Sequence, residues 1–125
     1  MAMRLLLDTH IVVWIALNDH RLSAAQREAV GDSENALLVN PLVAYELTHL
    51  QKTGRIPLQE PINRLQELIG FELVDLPHDL WQAVSRLGDI HRDPVDRMMI
   101  AHAMTEGLTL VTADANIRRY PVRFI

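Results

Sequence analysis

Residues 36–52, ALLVNPLVAYELTHLQK, change periodicity at Asn40-Pro41. The run Ala36-Leu37-Leu38-Val39 has no helical spacing and fits a short strand buried on both faces. Asn40 is a good helix N-cap, and Pro41 suits the first helical position because no amide proton is needed there. Beyond it Val43, Leu47 and Leu50 recur at helical spacing to about Lys52, with Gly54 as the stop. A strand leading directly into a helix is the unit from which parallel sheets are built.

The same alternation extends outward in both directions. Arg4 to Asp8 reads as a buried strand around Leu5-Leu6-Leu7, followed by a helix through Leu17 and a second helix capped by Ser23 and stopped at Gly31. Downstream, Pro61 starts a helix ending near Gly70, Phe71 to Asp75 is strand-like and His78 to Leu87 helical. Pro94 to Glu106 is a helix with Gly107 as its C-cap, Thr109 to Thr112 a strand, and Val122 to Ile125 a weak edge strand. These elements predict one domain over residues 1–125, an α/β fold of three layers (α/β/α) around a mainly parallel sheet.

Composition agrees. The 125 residues are 49% hydrophobic and 22% charged, enough to fold around a core of their own. The absence of cysteine excludes disulfides and thiolate zinc sites and suits a reducing cytoplasm, where the chain is expected. The apolar run near the start is too short for a signal peptide or a membrane span. A net charge of −4 argues against a broadly basic nucleic-acid surface, unless some carboxylates are gathered to hold cations.

Four carboxylates invite that reading. Asp8 closes an apolar strand and Asp114 lies two residues beyond another, where open parallel sheets place their ligands, although each would also serve as a helix cap. Glu46 is three residues after Val43 and four before Leu50, so it points toward the buried face. There it needs a cation as partner, either an arginine or a metal. In HRDPVDRMMIAHA, residues 91–103, Asp93 before Pro94 is a near-ideal N-cap, whereas Asp96 aligns with Ile100 and Ala103. The division expected is that Asp93 caps, as an additional candidate ligand, and Asp96 reaches inward. Four acids around one sheet edge repel one another unless cations intervene. Oxygen donors without cysteine or a paired-histidine motif favour Mg²⁺ or Mn²⁺ over zinc.

Of the six histidines, His10, His91 and His102 fall nearest these acids and are expected to pack, cap or face substrate. Trp14 and Trp81 are expected in the core or at a dimer contact. No P-loop, dinucleotide fingerprint or nucleophile elbow is present.

With Asp8 in LLLDTH, Glu46 in LVAYEL, Asp96 in HRDPVDRMMIAHA and Asp114 in LVTADANI, the whole chain resembles the PIN-domain ribonucleases, and specifically the VapC-type toxins of bacterial toxin–antitoxin pairs. Val95 stands where many relatives carry an aromatic residue, and Tyr45 where tryptophan is common. The resemblance implies a PIN-like fold and an endoribonuclease dependent on Mg²⁺ or Mn²⁺. It also implies a homodimer, neutralised by a cognate VapB-type antitoxin, with no membrane partner. It assigns metal binding and catalysis to Asp8, Glu46, Asp96 and Asp114, with Asp93, Thr112 and Arg97 as accessory candidates. Thr112 would orient a carboxylate or water. Arg92, Arg97, Arg118 and Arg119 are placed to hold RNA phosphates or, equally, to form surface ion pairs.

Three rivals remain. An aspartyl phosphatase wants a second acid two residues after the first, where His10 stands. A receiver domain wants paired acids and a late lysine, and the only lysine is Lys52. A PIN-like module that binds RNA or protein without turnover is the alternative from another class.

Overall fold

The computed structural model describes residues 2–125. Four parallel strands, β1 (Arg4–Leu7), β2 (Ala36–Val39), β3 (Glu72–Leu73) and β4 (Thr109–Val111), form a sheet in the order β3-β2-β1-β4. The helices are α1 (Thr9–Leu17), α2 (Ala24–Gly31), α3 (Pro41–Lys52), α4 (Ile62–Ile69), α5 (Leu80–Ser85) and α6 (Pro94–Glu106), followed by a 3-10 turn at Ile117–Arg119.

β1 is central, pairing Leu6 with Leu38 on one side and Leu110 on the other. Leu5, Leu6 and Leu7 are all fully buried although successive strand residues face opposite ways, so helices cover both faces of the sheet. α1 packs with α3 and α4, and α5 with α6. This is the three-layer arrangement expected from the alternating pattern.

The helix starts follow local chemistry. Ser23 and Gln26 exchange bonds in a capping box. The buried Asn40 accepts from the Val43 amide, and its side-chain nitrogen reaches His102 Nδ1 at 3.0 Å. His102, fully buried and 3.2 Å from Glu106, is thus a core residue. At the end of α6 Gly107 adopts φ 64°, a left-handed conformation available to glycine at little cost, and the chain turns back into β4.

Three expectations need correction. The strand expected over Phe71 to Asp75 has only two paired residues, and the helix expected over His78 to Leu87 contracts to Leu80–Ser85. Val122 to Ile125 contributes one parallel bridge, Leu110 to Phe124, rather than a strand, although the Leu110 and Thr112 amides donate to the Arg123 and Ile125 carbonyls and the Ile125 amide to Leu110 O. Trp81 is 68% exposed on α5, so of its two expected places the core is excluded and a dimer contact is left. Among the described residues no helix is long and apolar enough to cross a membrane.

Candidate functional site

Parallel strands put their carboxyl ends on one edge, and four segments converge there. Asp8 follows β1, Glu46 projects from α3, Asp93 and Asp96 open α6, and Asp114 follows β4. All five carboxylates line one cavity of about 460 Å³, together with His10, Trp14 and Ala113. The four acids singled out by spacing are therefore neighbours, and Asp93 joins them.

Four of the five carboxylates are held by specific hydrogen-bond donors. Asp8 accepts from the Thr9 amide (2.8 Å) and from the Thr112 hydroxyl (2.9 Å), while the Asp114 amide donates to the same Thr112 oxygen (3.0 Å). Thr112 thus links two acids from two strands. Glu46 accepts a hydrogen bond from the Thr9 hydroxyl. Asp93 accepts from the Val95 and Asp96 amides, as a cap should, at 2.9 and 3.1 Å. Asp96 has no such cap and remains available to the cavity. Asp114 takes the Asn116 amide (2.8 Å) on one oxygen and His91 Nε2 (3.0 Å) on the other.

Crowding of like charges shows in the proton affinities. Burial, reinforced by the charges of Asp8 and Asp93, pushes the Asp96 carboxyl up to about 7. Burial also raises Asp8, against the opposing hydrogen bonds of Thr112 and Thr9 and with help from the Glu46 charge. Asp114 goes the other way: burial works against its ionisation, but the bonds from His91 and the Asn116 amide hold its carboxyl below the usual range. The hydrogen bond to Asp114 raises the His91 imidazole.

Among the described residues these five carboxylates have no lysine or arginine within ion-pairing distance; His91, 3.0 Å from both Asp96 and Asp114, is the only cationic candidate so placed. An arginine partner for Glu46, one of its two expected roles, is thus missing. The donor set is hard oxygen, and its members resist joint ionisation. Both properties fit a divalent cation of the Mg²⁺ or Mn²⁺ kind. His91, Asp96 and Asp114 each offer an atom within 4.8 Å of the others, close enough to surround one ion.

Arg97 does not serve this cavity. Its guanidinium donates to the carbonyls of Gly88 (2.9 Å), Val84 (3.2 Å) and His91 (3.3 Å), and to the Tyr120 hydroxyl (3.3 Å). The planar five-donor fork thus ties Val84 of α5 to the loop carbonyls of Gly88 and His91, and its donors are directed into the fold rather than toward the cavity. Arg118 is likewise occupied, donating to Thr112 O (2.8 Å) and lying 4.9 Å over the Phe124 ring. Arg92 and Arg119 are exposed.

Two residues gained a place here that spacing did not assign. Thr9 is 1% exposed, and its position three before Val12 and four before Val13 carried the same inward signal as Glu46. His91 sits in a loop where no periodicity applies, and its position depends on Arg97, six residues on, and on Tyr120, 29 residues on. Trp14 is in the core as expected, yet it also borders the cavity, with the exposed His10 ring 6.3 Å away and the Arg21 guanidinium 5.2 Å over its own ring.

Residues 5–123 match the PIN domain family model. The chain is 31% identical over 122 residues to ribonuclease VapC22 of Mycobacterium tuberculosis, covering 92% of this chain and 90% of the relative. Similar solved structures include VapBC2 of Rickettsia felis bound to a promoter DNA fragment (TM-score 0.67, 18% identity, 98% of each chain). VapBC-1 of nontypeable Haemophilus influenzae is another (TM-score 0.68, 12% identity, 98% of this chain and 97% of the other). At those identities the structural likeness speaks for the fold.

Proposed function

The chain belongs to the PIN domain family, and we propose that it is an endoribonuclease toxin of the VapC type, hydrolysing RNA phosphodiester bonds with a divalent cation and silenced by a cognate VapB-type antitoxin. The observation that carries this reading is the convergence of Asp8, Glu46, Asp93, Asp96 and Asp114 on one open cavity without a lysine or arginine to neutralise them. The 31% identity to a ribonuclease over nearly the whole chain supports the reaction class.

Asp8, Glu46, Asp96 and Asp114 would hold the metal, Mg²⁺ or Mn²⁺. When bound, such an ion supplies Lewis acidity toward water and phosphate oxygen and offsets charge on the leaving group. Thr112 holds Asp8 and the start of the Asp114 segment in register, and Thr9 does the same for Glu46, so the carboxylates need little rearrangement. Asp93 keeps α6 capped so that Asp96 projects from a fixed first turn. Arg92, exposed and next to Asp93 in the chain, is a candidate to receive an RNA phosphate. No side-chain nucleophile is required.

Antitoxin and a second copy of the chain have apolar ground to cover. Leu68 and Trp81, on α4 and α5, are 58% and 68% exposed and offer such surface.

The test is cleavage of RNA by the purified chain in Mg²⁺, Mn²⁺ or chelator, with Asp8→Asn as control, repeated after addition of the protein encoded beside it. Metal-dependent cleavage, abolished in the control and by the neighbouring protein, is expected. RNA binding without cleavage under every metal condition would make the chain a non-catalytic PIN-like binding module instead.

A further inference from the structure

His91 lies in the loop before α6, its side chain 13% exposed, with Nε2 at 3.0 Å from Asp96 Oδ2 and 3.0 Å from Asp114 Oδ2. Of these two contacts, the one to Asp114 has hydrogen-bond geometry. The other ring nitrogen, Nδ1, accepts the Asp93 backbone N–H at 3.1 Å. An imidazole that accepts at Nδ1 carries its proton at Nε2. The Asp93 amide therefore selects the tautomer that donates toward the carboxylates.

The backbone around this ring is clasped from outside the loop. Tyr120 Oη accepts the Ile90 and His91 amides at 3.1 and 2.8 Å and donates to the Gly88 carbonyl at 2.8 Å. Arg97, on the helix that bears Asp96, donates to the carbonyls of Gly88 and His91. Two side chains from α6 and the C-terminal segment thus fix where the imidazole stands.

We propose that His91 is a positioning residue of the acidic site: its Nε2–H holds the Asp114 carboxylate and keeps Asp96 beside it, setting the separation of these two groups for a divalent cation. This rests on reading the acidic cavity as a cation site. A direct bond from His91 to the ion is the competing assignment. It would need the lone pair at Nε2 and the proton at Nδ1, which would then face the Asp93 N–H. That arrangement gives up the Asp93 bond and sets two donors against each other. Geometry favours the donor role.

Three substitutions in the full chain separate these possibilities, with Mn²⁺ alone as the probe and free Mn²⁺ read by electron paramagnetic resonance. In His91→Gln the amide nitrogen extends to the region of Nε2 and keeps a donor there; in His91→Asn it stops at the region of Nδ1; His91→Ala has neither. The expected result is Mn²⁺ affinity near wild type for His91→Gln and weaker by about tenfold or more for His91→Asn and His91→Ala, the usual size for loss of a group that orients a metal-binding carboxylate. Long-range ¹H–¹⁵N correlation on the metal-free protein should show a proton on His91 Nε2. Because His91→Gln cannot supply an imidazole ligand, its failing as badly as His91→Ala, with directly coupled ¹⁴N in the wild-type Mn²⁺ spectrum, overturns the proposal in favour of ligation. Wild-type affinity in all three variants overturns His91's role while leaving the cation site standing. A wild-type chain that takes up no Mn²⁺ removes the cation site itself, and the proposal with it.

Discussion

Thr9 and Glu46, 37 residues apart in sequence, meet through a hydrogen bond from the Thr9 hydroxyl to a Glu46 carboxylate oxygen. The bond ties α1 to α3 at the cavity wall, and it is the only hydrogen bond by which a side chain orients Glu46 among the described residues. Thr9→Val keeps the branched shape and removes the donor, so cleavage should fall by about tenfold to a hundredfold, the value of a hydrogen bond to a charged group. Thr9→Ser should stay close to wild type. Single-turnover cleavage at saturating Mn²⁺ measures both, and equal rates in Thr9→Val and wild type would detach Thr9 from the site.

Asp8→Asn, Asp96→Asn and Asp114→Asn should each leave the chain folded and remove most RNA cleavage, since an amide oxygen is a poorer ligand than a carboxylate for a hard cation. Circular dichroism alongside a cleavage assay makes the comparison. Any of the three retaining wild-type turnover at saturating metal does not belong among the ligands.

Asp96 makes stability depend on pH in a defined direction. Its carboxyl titrates near 7 in the folded chain, against 3.8 as the ordinary value. Between these values the folded state keeps a proton that the unfolded state has released, so this group's contribution to stability declines as pH rises from about 4 to about 7 and is least above that. Asp96→Asn escapes the decline. In chelator the variant should melt above wild type at pH 8, with the gap closing toward pH 4, and saturating Mn²⁺ at pH 8 should narrow or reverse it. A variant melting below wild type at pH 8 in chelator contradicts the assignment.

Asp93 and Asp96 should separate cleanly when each is replaced by serine. Asp93→Ser retains an oxygen for the Val95 and Asp96 amides, so stability should stay within about 1 kcal/mol and cleavage largely intact, because serine and aspartate cap comparably. Asp96→Ser loses reach and charge, so metal-induced stabilisation and cleavage should fall together. Thermal unfolding with and without Mg²⁺ decides; loss of metal-induced stabilisation in Asp93→Ser alone would exchange the two roles.

Tyr120→Phe strips the loop of one acceptor for two amides and one donor to Gly88 O. With Arg97 still covering Gly88 O, the expected loss is about 1–3 kcal/mol, the cost of leaving buried polar groups without partners. Urea unfolding at equilibrium measures it, and an unchanged midpoint would mean that water replaces the hydroxyl without cost.

The linear sequence by itself determined the βα alternation, most helix limits and which acids close the strands. Those features rest on local rules: an unbroken Leu5-Leu6-Leu7 run, Asn40-Pro41 and Asp93-Pro94 at helix starts, Gly107 at a helix end. Even the inward turn of Glu46 and Asp96 follows from spacing along one helix. The third dimension decided the rest, because the parallel sheet brings into one cavity residues whose separation along the chain carries no mark of their meeting. Thr9 finds Glu46, and Thr112 finds Asp8 across 104 residues. The same holds for the loop before α6. Nothing near His91 indicates that Tyr120 and Arg97 will clasp it, since the stretch from Arg86 to Arg92 has no period and its polar backbone could have been satisfied by water. For Arg97 the outcome hung on competition for its donors, and the carbonyls of Val84, Gly88 and His91, brought over it by the fold, won.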